Sequence, residues 1–309
     1  MKLIIFGSRG LVGSSLVKIL NNNQLFTEII PSTREQVDLF NLKEVEKFIS
    51  DTNPDIIVNA AAKVGGIYAN NTYRADFILQ NLKINTNLLE AIIPFNKVKV
   101  INLGSSCIYP LNAENPISEN SLMTGELEKT NSPYAMAKIT AIELGKSINH
   151  QYGHKIINLM PTNLYGPNDN FSEFNSHVIP GIIFRMHKAK IDRESNFEIW
   201  GTGKPKREFM YVDDLADAIL FIIKNNIEDE LINIGSNEEV SINELVLNLK
   251  EIIQFEGSIS NNLNFPDGNP KKLLNSAKIL SYGWKPKTKL IEGLNKTYEW
   301  YLKSLTSSM

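Results

Sequence analysis

The chain has 309 residues, 42% of them hydrophobic, and a formal net charge of −2. That apolar share supports a sizeable core, and the near-balanced charge gives no basic field, which argues against a nucleic-acid partner. A single cysteine, Cys107, rules out an intramolecular disulfide, and no run approaches the roughly 18 apolar residues of a membrane span.

Residues 2–6 read KLIIF and form the first predicted strand. This apolar run is too short for a secretory leader, so a cytosolic protein is expected. Gly7, Ser8, Arg9, Gly10, Leu11, Val12 and Gly13 follow, and Leu11, Leu16, Ile19 and Leu20 continue at helical spacing. This GxxGxxG string is a relative of the dinucleotide-binding fingerprint. Small residues let the backbone turn tightly and approach a pyrophosphate at the helix N-terminus. A glycine trio also serves a plain tight turn; its place between the first strand and a helix points to a cofactor.

Further short strands are predicted at 28–31, 56–59, 98–103, 155–160 and 231–234, with helical patterns between several of them. The alternation predicts an α/β fold of Rossmann type, a doubly wound parallel sheet. The second strand ends in Pro31-Ser32-Thr33-Arg34, where NAD enzymes usually carry Asp or Glu for the ribose hydroxyls. Two cations, Arg9 and Arg34, suit a 2′-phosphate instead, so the expected cofactor is NADP(H). The plain alternative is that Arg34 is a solvated surface cation. Asp38 is a candidate adenine contact by its place in the unit.

The fourth strand ends in Leu103-Gly104-Ser105-Ser106-Cys107. About 30 residues on, Tyr134-Ala135-Met136-Ala137-Lys138 forms YxxxK, which puts a phenol and an ammonium on one helix face. A nearby cation favours phenolate, so Tyr134 with Lys138 and Ser105 can protonate an alkoxide as hydride reaches a carbonyl carbon. Cys107 lies two residues past Ser105, the spacing that shares a face in an extended segment. His177 opens a helix. A thiolate and an imidazole suit the removal and return of protons beside a ketone. Alone, each reads equally well as a buried small residue or a helix cap.

Beyond residue 160 the pattern changes. Residues 161–175 are rich in Pro, Gly, Asn and Asp and read as loop, and a helix is expected at 178–188. Ser241-Ile242-Asn243-Glu244 is a capping box. Trp284, Tyr298, Trp300 and Tyr301 belong to a smaller mixed α/β unit at the C-terminus. The expected division is a nucleotide domain over 1–165, which also receives 205–236, and a substrate domain over 166–204 and 237–309.

Several strings, taken together, are specific. They are the residues AAAKVGG at 60–66, GSSCIYP at 104–110, SPYAMAK at 132–138, PTNLYGPNDNF at 161–171, WGTG at 200–203, REFMYVDD at 207–214 and DGNPKKLL at 267–274. They resemble the GDP-L-fucose synthases, also called GDP-4-keto-6-deoxy-D-mannose 3,5-epimerase-4-reductases, of the extended short-chain dehydrogenase/reductase superfamily. The resemblance implies an NADP-dependent oxidoreductase and isomerase acting on a GDP-linked keto-deoxy sugar, without a metal. By it, Ser105, Tyr134 and Lys138 are the reductase trio, and Cys107 and His177 the epimerase base and acid. Leu103, Gly104, Ser105, Ser106, Pro161, Thr162, Asn163, Leu164 and His177 border the cofactor with Lys138. Arg185, Trp200, Arg207 and Asp267 hold the GDP-sugar. It also implies a homodimer built on a helix bundle that includes the Tyr134 helix. The polar loop 191–197 departs from the pattern and neighbours the sugar site. A C4 reductase for a related GDP-keto sugar, such as a GDP-heptose, therefore stands as the alternative. A non-catalytic nucleotide sensor fits less well, because Tyr134 and Lys138 are both kept.

Overall fold

The computed structural model describes residues 1–21, 23–265 and 267–307. In chain order β1 (Lys2–Phe6), α1 (Leu11–Leu20), β2 (Glu28–Ser32), α2 (Leu42–Thr52) and β3 (Ile56–Asn59) come first. Then follow α3 (Ile67–Thr72), α4 (Arg74–Ala91), β4 (Lys99–Leu103), α5 (Ser132–Tyr152) and β5 (Lys155–Pro161). A 3₁₀ turn at Ser106–Ile108 leads out of β4.

The third stretch holds β6 (Asn163–Tyr165), α6 (Val178–Ile191), β7 (Asn196–Trp200), β8 (Lys206–Tyr211), α7 (Val212–Lys224) and β9 (Leu231–Ile234). The last holds β10 (Glu239–Ser241), α8 (Ile242–Ile253), β11 (Ser258–Asn262), β12 (Lys271–Lys272), α9 (Ala277–Ser281) and α10 (Leu290–Ser307).

Six strands form one sheet in the order β2-β1-β3-β4-β5-β9, every pair parallel. β1 shows why. Leu3 and Ile5 face a core shared with Leu16 of α1 and Leu215 and Ile219 of α7. Ile4 and Phe6 face the opposite core, with Val45 of α2 and Leu88 of α4. A strand buried on both faces must be apolar throughout, which is the non-alternating pattern of residues 2–6. Each such fully buried aliphatic contributes about 1.5–3 kcal/mol.

One polar stripe crosses this sheet. Asn59, Asn102 and Asn158 are in register on β3, β4 and β5. Asn59 Nδ2 donates to Asn102 Oδ1 at 3.0 Å, and Asn102 Nδ2 to Asn158 Oδ1 at 3.2 Å. All three are buried, and the ends of the stripe reach Asn85 Oδ1 and the Glu230 carbonyl.

The second sheet is centred on β8, which pairs with β6 and β12 in parallel and with β10 antiparallel. β7 and β11 form a separate parallel pair. Ile182 and Ile183 of α6, Leu245 and Leu249 of α8, and Leu294 of α10 make the core here. Ser241 closes the capping box: its hydroxyl accepts from Glu244 N–H, and its own N–H donates to Glu244 Oε2.

Two segments differ from the sequence reading. β5 runs through Pro161, and Asn163–Tyr165 is strand rather than loop. Its partner is β8, about 45 residues away, so no local pattern announces it. The stretch 191–197 is also more ordered than a loop. α6 continues to Ile191, and β7 opens at Asn196 with Phe197 buried.

Candidate active site

The cofactor candidates gather at the C-terminal ends of β1, β4 and β5, where parallel sheets bind ligands. Gly7 has φ +76°, and a Cβ there would lie 2.8 Å from Ala60 and Ala61 backbone. A Cβ on Gly13 would lie 2.1 Å from the Gly7 carbonyl. Gly10 caps α1 without a side-chain bond, which leaves the first-turn N–H groups of Leu11, Val12 and Gly13 free for a diphosphate. Ser8 Oγ fastens the loop to the Ser32 carbonyl at 3.0 Å. The cradle therefore fits a dinucleotide.

At the end of β2 the picture is less simple than two free cations. Arg9 pairs with Glu35 at 3.0 Å, so an acid stands one residue beyond the stretch that reads as acid-free. Arg34 lies over the Phe40 ring at 4.9 Å and 3.9 Å from Asp38. Asp38 Oδ1 accepts from Phe40 N–H at 3.1 Å, so this side chain shapes its own turn.

Ser105, Cys107, Tyr134 and Lys138 come together between β4 and α5. Lys138 Nζ donates to the Leu103 carbonyl at 2.6 Å and lies 5.8 Å from the Tyr134 ring centre. Gly104 N–H donates to the Leu159 carbonyl at 2.8 Å. A Cβ on Gly104 would meet the end of the Met160 side chain and lie 3.3 Å from the Leu159 carbonyl, so a larger residue would have to push Met160 aside. Cys107 sits in the 3₁₀ turn that opens with Ser106, not in an extended segment. The turn still delivers it, because Cys107 N–H donates to Ser105 Oγ at 3.3 Å.

Burial pushes the Tyr134 phenol above its ordinary value, the neighbouring Cys107 adds to this, and a hydrogen bond with Ser105 pulls it back. Burial draws the Lys138 ammonium down to about 8, opposed by Cys107. Burial also raises the Cys107 thiol, and Lys272, Ser105 and Lys138 oppose that rise, Lys272 foremost.

Lys272 is the residue that sequence reasoning missed. It stands in a plain PKKLL string, and its place comes from the pairing of β12 with β8, which sets Lys272 beside Arg207. Burial lowers its ammonium, and the Cys107 charge pulls it back up. A half-buried cation acting on a buried thiol is the signal, and only the fold shows it.

His177 is the N-cap residue of α6 and opens to solvent, while desolvation by the surrounding atoms still lowers its imidazole. Pro161, Thr162, Asn163 and Leu164 leave β5 beside this centre. Thr162 N–H donates to the Ile234 carbonyl, and Asn163 Nδ2 to the Glu208 carbonyl.

The substrate candidates lie on α6, β7, β8 and the loop before β12. Arg185 stacks over Trp200 at 4.3 Å and over Phe197 at 4.9 Å, and burial lowers its guanidinium to about 10. Phe265 stacks on Trp200 at 4.7 Å. Burial lowers the Arg207 guanidinium too, and Asp267 opposes this. Asp267 uses both oxygens on Thr202, accepting from its N–H at 2.8 Å and its hydroxyl at 2.7 Å. Two desolvated guanidiniums near an indole suit a diphosphate joined to flat or apolar rings. Among the described residues no His/Cys/Asp/Glu group has the arrangement of a metal site.

This combination of a dinucleotide cradle, a Ser-Tyr-Lys group around a buried lysine and a basic second site defines a nucleotide-dependent α/β enzyme of the short-chain dehydrogenase type. The description "NAD dependent epimerase/dehydratase family" matches residues 3–235. GDP-L-fucose synthase 1 of Arabidopsis thaliana is 48% identical over 98% of this chain and 94% of its own. A GDP-6-OMe-4-keto-L-xylo-heptose reductase from C. jejuni superposes with a TM-score of 0.91 at 34% identity, covering 98% of each chain. The GDP-mannoheptose C4 reductase from Campylobacter jejuni, solved with NADP bound, gives 0.87 at 35% identity over 97% of this chain and 98% of that one. The chain belongs to the NAD dependent epimerase/dehydratase family, and within it to the group of the GDP-L-fucose synthases.

Proposed function

We propose that this protein converts GDP-4-keto-6-deoxy-D-mannose to GDP-L-fucose with NADPH, by 3,5-epimerisation followed by reduction at C4. One observation carries the reading: a buried thiol with the half-buried Lys272 opposing its burial shares a site with the Ser105, Tyr134 and Lys138 group. The names of the relatives agree with it.

A 4-ketone acidifies the protons on C3 and C5 of the sugar. Cys107, as thiolate stabilised by Lys272, removes such a proton, and the ketone oxygen takes up the charge of the enolate. His177 returns a proton from the opposite face and inverts the carbon. Ser105 then holds the ketone oxygen, and Tyr134 protonates the alkoxide as C4 is reduced. Lys138, with its ammonium near neutrality, replaces the phenol proton. Bound at the Gly7–Gly13 cradle, NADPH would supply the hydride; Arg9 and Arg34 would hold its 2′-phosphate, and Asp38 would lie towards the adenine. Arg185, Trp200, Arg207 and Asp267 form the GDP-sugar site.

Residues 1–165 with 205–236 serve as the nucleotide domain, and 166–204 with 237–309 as the sugar domain. The protein works as a cytoplasmic homodimer on the α4 and α5 faces, a reading supported by the outward Leu79 and Met136, 55% and 46% exposed. The reducing compartment suits the free thiol that the base requires.

The likeness to the C. jejuni heptose reductase favours a second reading, C4 reduction of a GDP-keto-heptose. Incubation with the deoxymannose ketosugar and NADPH in deuterated water separates the two. Solvent deuterium at both C3 and C5 of the reduced product is expected. A reduced product without label, or turnover of the heptose alone, overturns the epimerase half.

A further inference from the structure

The imidazole of His177 makes no hydrogen bond among the described residues, so its position must come from the backbone that carries it. That backbone leans on the loop after β3. Gly66 N–H donates to the Asn175 carbonyl at 3.2 Å. A Cβ on Gly66 would lie 2.2 Å from the Ser176 carbonyl oxygen and 3.9 Å from His177 N. A Cβ on Gly65 would lie 3.4 Å from the Asn175 carbonyl and 3.2 Å from Phe77 Cζ. Phe77 in turn meets the Tyr134 ring edge-on at 6.2 Å. One loop thus touches the His177 segment on one side and the Tyr134 neighbourhood on the other.

The two sides are not equally firm. The glycine shelf is clamped: Asn70, buried on α3, donates through Nδ2 to the Gly65 carbonyl at 2.7 Å and the Gly66 carbonyl at 3.0 Å. Asn81 of α4 exchanges two bonds with the Lys63 backbone, at 3.1 and 3.0 Å. Glu173, Phe174 and Asn175 are exposed, and the turn around them is held by Ser176 Oγ bonding the Ser172 backbone at 2.6 Å. An atom added at Gly66 therefore displaces residues 175–177 rather than the shelf.

We propose that the Gly65-Gly66 shelf is a positioning element for His177, holding its imidazole against the sugar face opposite Cys107. The proposal rests on His177 being the proton donor of the epimerisation. Cys107, Ser105 and Lys138 hang on β4 and α5 and make no contact with Gly66, so disturbing the shelf separates proton return from ketone reduction.

The test uses the full chain with NADPH in deuterated water and reads two rates. One is label entering C3 and C5; the other is NADPH oxidation with the already epimerised ketosugar. Gly66→Ala lowers the first by about tenfold or more, as displacements near 1 Å do, and leaves the second within about threefold of wild type. Adding Gly66→Ala to His177→Gln costs no further wash-in, because both act on one group. Wild-type wash-in in Gly66→Ala, or equal loss of both rates, overturns the proposal. If Gly66→Ala fails to bind NADPH, Asn70→Ala carries the same prediction, since it unclamps the shelf without adding an atom. Absence of label with the wild-type protein instead removes the epimerase reading itself, a result distinct from either variant's.

Discussion

Cys107 shows how one side chain depends on a neighbour that arrives from far along the chain. A buried thiol resists ionisation, and Lys272 is the first of the groups that oppose that cost. Lys272→Met removes the cation and keeps the bulk. The pH profile of deuterium wash-in moves to higher pH in this variant; an unmoved profile would show that Lys272 does not govern the thiol. The sequence made Cys107, Tyr134 and Lys138 visible because their types and spacing carry chemistry. Lys272 was invisible for the opposite reason: lysines are usually solvated, and only strand pairing brings this one beside Arg207 and half-buries it. Glu35 was missed by one position, since its role is to bind Arg9 rather than to project where an acid is looked for.

Among the elements, β8 joins the two halves of the site. It carries Arg207, pairs with β6 and β12, and buries Glu208 completely. The Glu208 carboxylate accepts from Leu274 N–H at 3.0 Å and Asn237 N–H at 2.8 Å, and its backbone carbonyl accepts from Thr162 and Asn163. Burial raises this carboxyl while these donors hold it down. Glu208→Ala strands the donors in a dry site and costs about 3–5 kcal/mol. Urea unfolding checks this, and a loss under about 1 kcal/mol would refute the assignment. The alternating strands and helices of the nucleotide half were legible because each element is apolar in its own period. β6, β7 and β12 were not, because they are short and owe their form to partners distant in sequence.

At the scale of the whole molecule, the segment 167–171 links α1 to α10. Asn168 Nδ2 donates to Ser14 Oγ of α1 at 3.0 Å, and Phe171 stacks on Tyr301 of α10 at 4.8 Å. Between them Asp169 has a buried Oδ2 without a partner, and burial pushes its carboxyl up to about 7 from 3.8. The folded chain therefore keeps a proton that the unfolded chain gives up, so stability falls as pH rises through the window between those two values. Asp169→Asn removes that loss. Its advantage over wild type is already present at pH 5 and grows by about 2–3 kcal/mol between pH 5 and pH 8. Denaturant midpoints at the two pH values measure it; an equal difference at both would exclude this origin.

The asparagine stripe across β3, β4 and β5 bears on how the chain assembles as well as on what it becomes. In register, each amide finds the next. Slide one strand by a single residue, and an amide faces isoleucine, valine or leucine, with about 1–3 kcal/mol lost for each group left unpaired. The three strands end in the AAAKVGG loop, the Ser105–Cys107 turn and the Pro161–Leu164 segment, which carry the shelf, the thiol and the cofactor border. The stripe thus works as a ratchet tooth in the interior: a misaligned sheet is penalised, and the sheet in register sets the three reactive ends level with one another.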